Sequence, residues 1–171
     1  MKELKEAGLK DITPEKAEEL RDHAIGAAFI KELTDAGYKD VPLEKIQELS
    51  DHGVHPAFIK EFVAAGFKNI SLDDAIELRD HGVDPAYVKG FINLGYKNIT
   101  LEDATSLKDH GVNPDFAKGF VDLGYKDITL QQVTELKDRG VSPAFIKKMK
   151  AKGFNNLTLE EYVKLKDADL G

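Results

Sequence analysis

The sequence predicts an all-α fold, an open α-solenoid (superhelix) of six two-helix repeats with about twelve short helices. The main observation is a 29-residue spacing that runs through the chain, and the second is a set of helix-capping residues with the same spacing. Tandem periods of this length are typical of repeat architectures. Three residue types keep the step: Gly8, Gly37, Gly66, Gly95, Gly124 and Gly153; Leu20, Leu49, Leu78, Leu107, Leu136 and Leu165; Asp22, Asp51, Asp80, Asp109, Asp138 and Asp167.

Each copy contains the start and stop signals of two helices. Asp84 is suited to cap a helix that begins at Pro85, and Gly95 is suited to end it. Thr100 and Asp103 then form a capping box for a second helix. The residues that recur in this way are the predicted structural signature: Pro56, Pro85, Pro114, Pro143, Gly66, Gly82, Gly95, Gly111, Gly124, Gly140, Asp51, Asp80, Asp109 and Asp138.

The repeats are expected to form one array over residues 1–171. Cut at the starts of the first helices, the copies are 1–26 (shortened at its N-terminal side), 27–55, 56–84, 85–113, 114–142 and 143–171. Helices of about 10 residues are marginal alone in water, so stability must come from packing between neighbouring copies, with Phe91 buried there. Lys5 and Lys150 replace an apolar residue of the middle copies, which favours a complete, open array over a closed ring.

Composition excludes several classes of function. The chain of 171 residues has no cysteine, and its formal net charge is −7. Without thiols there can be no disulfide and no cysteine nucleophile. No apolar run reaches the length needed to span a bilayer, and the N-terminal residues do not resemble a signal peptide, so we expect a soluble protein of unassigned location. The sequence shows no catalytic constellation, and we predict a non-enzyme without metal or cofactor.

Adjacent aspartate and histidine residues have two interpretations. They could be metal ligands or acid–base dyads, or the histidines could serve as donors in the last turn of a helix. Helices packed at about 8–10 Å would place three such histidines on the order of 20 Å apart, too far for one zinc ion. The structural interpretation is therefore favoured. The pairs are Asp22-His23, Asp51-His52, Asp80-His81 and Asp109-His110, with Arg139 replacing histidine in the next copy.

The outward side of the first helices is the candidate interaction surface. Its lysines could follow a phosphate backbone, but the net charge favours a solvated face. Two mid-helix glycines suggest either close approach of a partner backbone or, without a partner, sequence drift or tight packing against a neighbouring copy. The candidate residues are Lys31, Lys60, Glu61, Ala64, Lys89, Gly90, Asn93, Lys118, Gly119 and Asp122.

These observations favour a monomeric, non-enzymatic scaffold or a protein- or peptide-interaction module whose partner stays unidentified. One alternative is a nucleic-acid reader that uses a varying first-helix cap as its selector. The other is a designed or reconstructed repeat protein with no ligand. The varying cap residues are His55, Asp84, Asn113 and Ser142, all of which also suit a purely structural role.

One family resemblance accompanies these patterns. The stretch that carries it has the form G-[YF]-K-[DN]-[IL]-[ST]-L followed by L-x-D-H-G-V-x-P, as in GYKNITLEDATSLKDHGVNPDF, and the other copies follow it with substitutions. This unit resembles the short two-helix repeats appended to bacterial beta-lactam-sensor-type membrane metallopeptidases. The resemblance implies a repeat array outside the membrane for protein contacts, without catalysis, because the H-E-x-x-H motif is absent. The close mutual similarity of the copies also resembles that of a consensus-based or reconstructed repeat protein.

Overall fold

The chain consists of short α-helices joined by tight turns. The computed structural model describes residues 1–9 and 12–168, and this part of the chain contains twelve helices and no strand. All helices except α1 are nine residues long. Their bounds are α1 Lys2–Glu6, α2 Pro14–Asp22, α3 Ala27–Asp35, α4 Leu43–Asp51, α5 Pro56–Ala64, α6 Leu72–Asp80, α7 Pro85–Asn93, α8 Leu101–Asp109, α9 Pro114–Asp122, α10 Leu130–Asp138, α11 Pro143–Ala151 and α12 Leu159–Asp167.

Equivalent helices of successive copies pack side by side. The odd-numbered helices are the first helices of the repeats, and α3 packs against α1 and α5, as α9 does against α11. Among the second helices, α8 packs against α10. From α3 onward, each first helix begins at the first residue of a predicted copy. This arrangement confirms the prediction of an all-α repeat solenoid of two-helix units.

The chain divides into two compact units, residues 1–85 and 86–171. In the first unit the fully buried side chains include Leu20, Leu49 and Phe62. In the second they include Phe91 and Phe120. Each unit therefore has an apolar core of its own, built from the residues that recur at the repeat spacing.

The second helices begin with the predicted caps. Thr100 Oγ1 accepts a hydrogen bond from the Asp103 backbone N–H at 3.0 Å, and the Asp103 carboxylate accepts one from the Thr100 N–H at 2.9 Å. The same reciprocal box opens α6, α10 and α12. Pro42, where the pattern breaks, gives α4 no side-chain cap. Each box satisfies two backbone donors that the helix itself leaves without acceptors.

The first helices are capped less uniformly. Asn113 and Ser142 accept hydrogen bonds from the backbone N–H groups three residues later. His55 makes no side-chain cap bond, although Pro56 starts α5 as expected. Its imidazole instead meets the Phe29 ring edge-on, with 6.1 Å between the centroids. His55 therefore takes the predicted N-cap position of α5 without capping through its side chain, because its ring packs across the interface between repeats.

Helix ends use the left-handed backbone conformation that glycine adopts without strain. Gly95 follows a first helix with φ 109°, and Gly111 follows a second helix with φ 65°. In the first copy Ala24 stands at the position of Gly111 and keeps a φ of 58°. The turn is thus imposed by the repeat even where the residue type opposes it.

Replacing Phe91 by alanine should lower the free energy of unfolding by about 3–5 kcal/mol, because the ring is fully buried and its loss leaves a cavity. Phe154, which is 39% exposed, supplies the control, and its alanine variant should lose much less. Urea unfolding of both variants checks this prediction. Equal losses would contradict the assignment of Phe91 to the core.

Removing residues 114–142, one whole repeat, should leave a folded and less stable helical protein. The deletion joins Asn113 to Pro143 and so restores a cap followed by a first-helix proline. A shorter deletion of residues 114–132 joins mismatched helix segments and should cause far greater loss of helicity. Circular dichroism and thermal unfolding compare the two proteins, and similar damage in both would contradict the repeat model.

Candidate functional site

Histidine–aspartate pairs link successive repeats at the ends of the second helices. In each pair the imidazole Nδ1 lies within hydrogen-bond distance of a carboxylate Oδ1 located 28 residues later. The three pairs and their Nδ1–Oδ1 distances are His23–Asp51 at 2.6 Å, His52–Asp80 at 2.8 Å and His110–Asp138 at 2.9 Å. We call these three pairs the imidazole–carboxylate ladder.

This geometry alters the interpretation of the Asp-His dipeptides. The sequence indicated that each histidine serves as a donor in the last turn of its own helix. The structure instead pairs each ladder histidine with the aspartate of the following repeat. Arg139 continues the series, since its Nη1 lies 3.6 Å from Asp167 Oδ2. These histidines therefore connect neighbouring repeats.

The electrostatic surroundings of His52 favour the charged form of its imidazole. The hydrogen bond to Asp80 raises the pKa of His52, and the negative charges of Asp80, Glu48 and Asp51 add to this effect. The His52 side chain is 39% exposed, so water screens part of the attraction. Across residues 1–9 and 12–168, no group of three or more histidine and acidic side chains could hold a metal ion.

Tyrosines form a second link between repeats, which the sequence reasoning missed. The Tyr38 hydroxyl donates to the Ile70 carbonyl at 2.6 Å, and the Tyr96 hydroxyl donates to the Ile128 carbonyl at 2.8 Å. Burial raises the pKa of both hydroxyls, so they stay protonated donors at neutral pH. The signal was the aromatic residue after the glycine that ends each first helix from the second copy onward, among which Phe67 and Phe154 lack the hydroxyl.

Basic side chains near the ends of the second helices lie over aromatic rings of the same repeat. The cation-to-centroid distances range from 4.7 to 5.6 Å. These contacts help to hold the two helices of a repeat together. The pairs are Arg79 on Phe58, Lys108 on Tyr87, Lys137 on Phe116 and Lys166 on Phe145.

The candidate lysines on the first helices are exposed, and several are paired with acidic residues. Lys31 Nζ lies 2.7 Å from Asp35 Oδ2, and Lys118 Nζ lies 2.6 Å from Asp122 Oδ2. Lys60 Nζ lies 3.7 Å from Glu32 Oε2 of the preceding repeat. These pairs reduce the positive charge that the row presents to a polyanion.

Eight of the ten candidate residues reach the surface. We call them the outer row. Gly90 and Gly119, the other two, are only partly exposed. The outer row consists of Lys31, Lys60, Glu61, Ala64, Lys89, Asn93, Lys118 and Asp122.

The two mid-helix glycines face a neighbouring repeat. A β-carbon added at Gly90 would lie 2.5 Å from Cγ of Pro114, and one added at Gly119 would lie 2.5 Å from Cγ of Pro143. Both distances are far below carbon–carbon contact distance. Of the two explanations for these glycines, packing against the neighbouring copy is therefore the correct one, and the space beside them is already filled.

The fold and these interfaces define the class of the protein as a helical-repeat solenoid. No protein-family model matches the chain, and a search of curated proteins finds no match. The resemblance to metallopeptidase-associated repeats and the likeness to a reconstructed repeat protein both stay predictions. No helix in the described residues has the length and apolar character needed to cross a membrane.

Replacing Gly90 by alanine should destabilise the protein by about 1–3 kcal/mol, because the new methyl group overlaps the Pro114 ring. Helix propensity alone predicts the opposite, a gain of about 1 kcal/mol. A double-mutant cycle with Pro114→Ala, measured by urea unfolding, isolates the contact. The alanine at 90 should be tolerated much better when Pro114 is absent. Equal losses in both backgrounds would contradict this contact.

Proposed function

We propose that this protein is a non-enzymatic scaffold whose outer row binds a protein or peptide. The observation that carries the proposal is that constant and variable residues lie at different places in each repeat. The residues that recur from copy to copy form the caps, the core and the contacts between repeats, as Tyr96 and His110 do. The outward position on the first helices changes from copy to copy while staying exposed, as in Ala64, Asn93 and Asp122.

Variation on a constant frame is the way in which repeat proteins present binding surfaces. A constant interface keeps the first helices in register, so changes in the outer row need not disturb the fold. The row combines four lysines, the carboxylates of Glu61 and Asp122, the methyl group of Ala64 and the amide of Asn93, a mixture that suits peptide contacts better than one uniform charge.

The charge distribution favours a polypeptide over a nucleic acid. Binding of DNA or RNA depends on lysine and arginine side chains that neutralise phosphates. Here Lys31, Lys60 and Lys118 already have carboxylate partners, and the net charge of −7 repels polyanions. An acidic protein with a locally neutralised lysine row lacks the expected basic footprint.

The proposal can be tested by selecting binders from a random peptide library displayed on phage. Selected peptides, made synthetically, should bind the whole chain at micromolar Kd. A variant with Ala64→Glu, Asn93→Lys and Asp122→Lys should bind at least about tenfold more weakly, a difference of roughly 1.4 kcal/mol. The control variant changes exposed second-helix residues, Glu102→Lys and Glu135→Lys, and should keep the wild-type affinity.

Two outcomes would contradict the proposal. One is selection of peptides whose affinity is unchanged in the outer-row variant. The other is tight binding of random oligonucleotides that weakens steeply between about 50 and 200 mM salt and disappears in the Lys60→Glu, Lys89→Glu, Lys118→Glu variant. That second result would establish the nucleic-acid reader instead.

A further inference from the structure

We propose that the imidazole–carboxylate ladder makes cohesion between neighbouring repeats dependent on pH, tight in mildly acidic solution and weaker above neutrality. Histidine is the side chain whose charge ordinarily changes between pH 5 and 8. Here the same imidazole–carboxylate contact recurs between α2 and α4, between α4 and α6, and between α8 and α10. A change in pH therefore acts on the same kind of contact at three interfaces between repeats.

The ladder is placed where protons can reach it. The imidazole side chains of His23, His52 and His110 are 33%, 39% and 44% exposed. They can therefore exchange protons with solvent without unfolding of the repeat. Each nevertheless holds a carboxylate of the next repeat, so its charge bears directly on an interface.

The groups near the ladder carry charges of both signs, and Arg79 of α6 lies beside Gly53, the residue after His52. His52 meets Asp80 from α6, with Glu48 and Asp51 on its own helix. His110 meets Asp138 from α10, with Lys108 in the last turn of its own helix and Lys137 of α10 beside the adjacent Gly111. His23 meets Asp51 from α4, and Asp22 and Glu19 share the last turn of its own helix, where Arg21 is paired with Glu18. In each pair the carboxylate partner lies within 2.9 Å of the imidazole.

The direction of the effect follows from linkage. The contact with Asp80 raises the pKa of His52 in the folded protein. A raised folded-state pKa adds stability that is fully present below the unfolded value of about 6.5 and is lost as pH rises through the folded value. Above that value the neutral imidazole still donates a hydrogen bond, but the ion pair is gone. Cohesion should thus fall between roughly pH 6 and 8.

The chain contains its own comparison. Arg139 faces Asp167 at the position where the ladder has a histidine facing an aspartate. Because arginine stays charged throughout this range, that link should not respond to pH. Replacing ladder histidines by arginine copies an arrangement that the repeat already accommodates.

The test compares urea unfolding midpoints of the whole chain at pH 6 and pH 8. The wild type should have its lower midpoint at pH 8. In the His23→Arg, His52→Arg, His110→Arg variant this difference should shrink by at least about half, because a fixed charge replaces each titrating one. His55, which packs on Phe29 and not on a carboxylate, supplies the control, and His55→Asn should keep the wild-type difference. An unchanged pH difference in the triple arginine variant would overturn the proposal.

A second measurement uses the native protein and needs no variant. NMR titration of the native protein gives the pKa of each imidazole separately. The pKa of His52 should lie above its ordinary value of about 6.5, because of the contact with Asp80. A His52 pKa at or below that value would overturn the proposal, whatever the unfolding curves show.

Discussion

The structure depends on the burial of apolar side chains between helices that are too short to stand alone. A nine-residue helix has few internal hydrogen bonds to offset the entropy of its formation. Each repeat therefore needs its neighbours, and Phe62, Phe91 and Phe120 are fully buried. The constraint explains why the spacing of 29 residues is kept so strictly. A repeat of another length would move its apolar residues away from those of the next copy.

Hydrogen bonds between repeats fix the register of helices that apolar burial brings together. Apolar contacts alone would let one repeat slide or rotate against the next, because such contacts have little angular preference. The Tyr96 hydroxyl and the His110 imidazole each require an acceptor at one position in the following repeat. Gly90 allows the Pro114 ring to approach α7 more closely than any other residue could. Together these contacts set the register of neighbouring first and second helices within each unit.

The fold could be predicted because its signals are local. Prolines, capping boxes and glycines report on the residues beside them, and α6, α8, α10 and α12 begin as their sequences indicate. The contacts between repeats were harder to predict, since the sequence gives residue types but not the direction in which a side chain points. His110 was assigned to its own helix end, although its partner Asp138 is in the next copy. His55 suited a cap by position, but packing on Phe29 determined its orientation.

The two kinds of bond between repeats should leave different evolutionary traces. Tyr38 donates to a main-chain carbonyl, an acceptor that every residue type provides. A tyrosine at that position can therefore change to phenylalanine without a compensating substitution, as Phe67 illustrates. The ladder needs two side chains, and replacement of the aspartate alone would leave a cation without its partner. In related sequences these two positions should covary, whereas the tyrosine positions should drift independently.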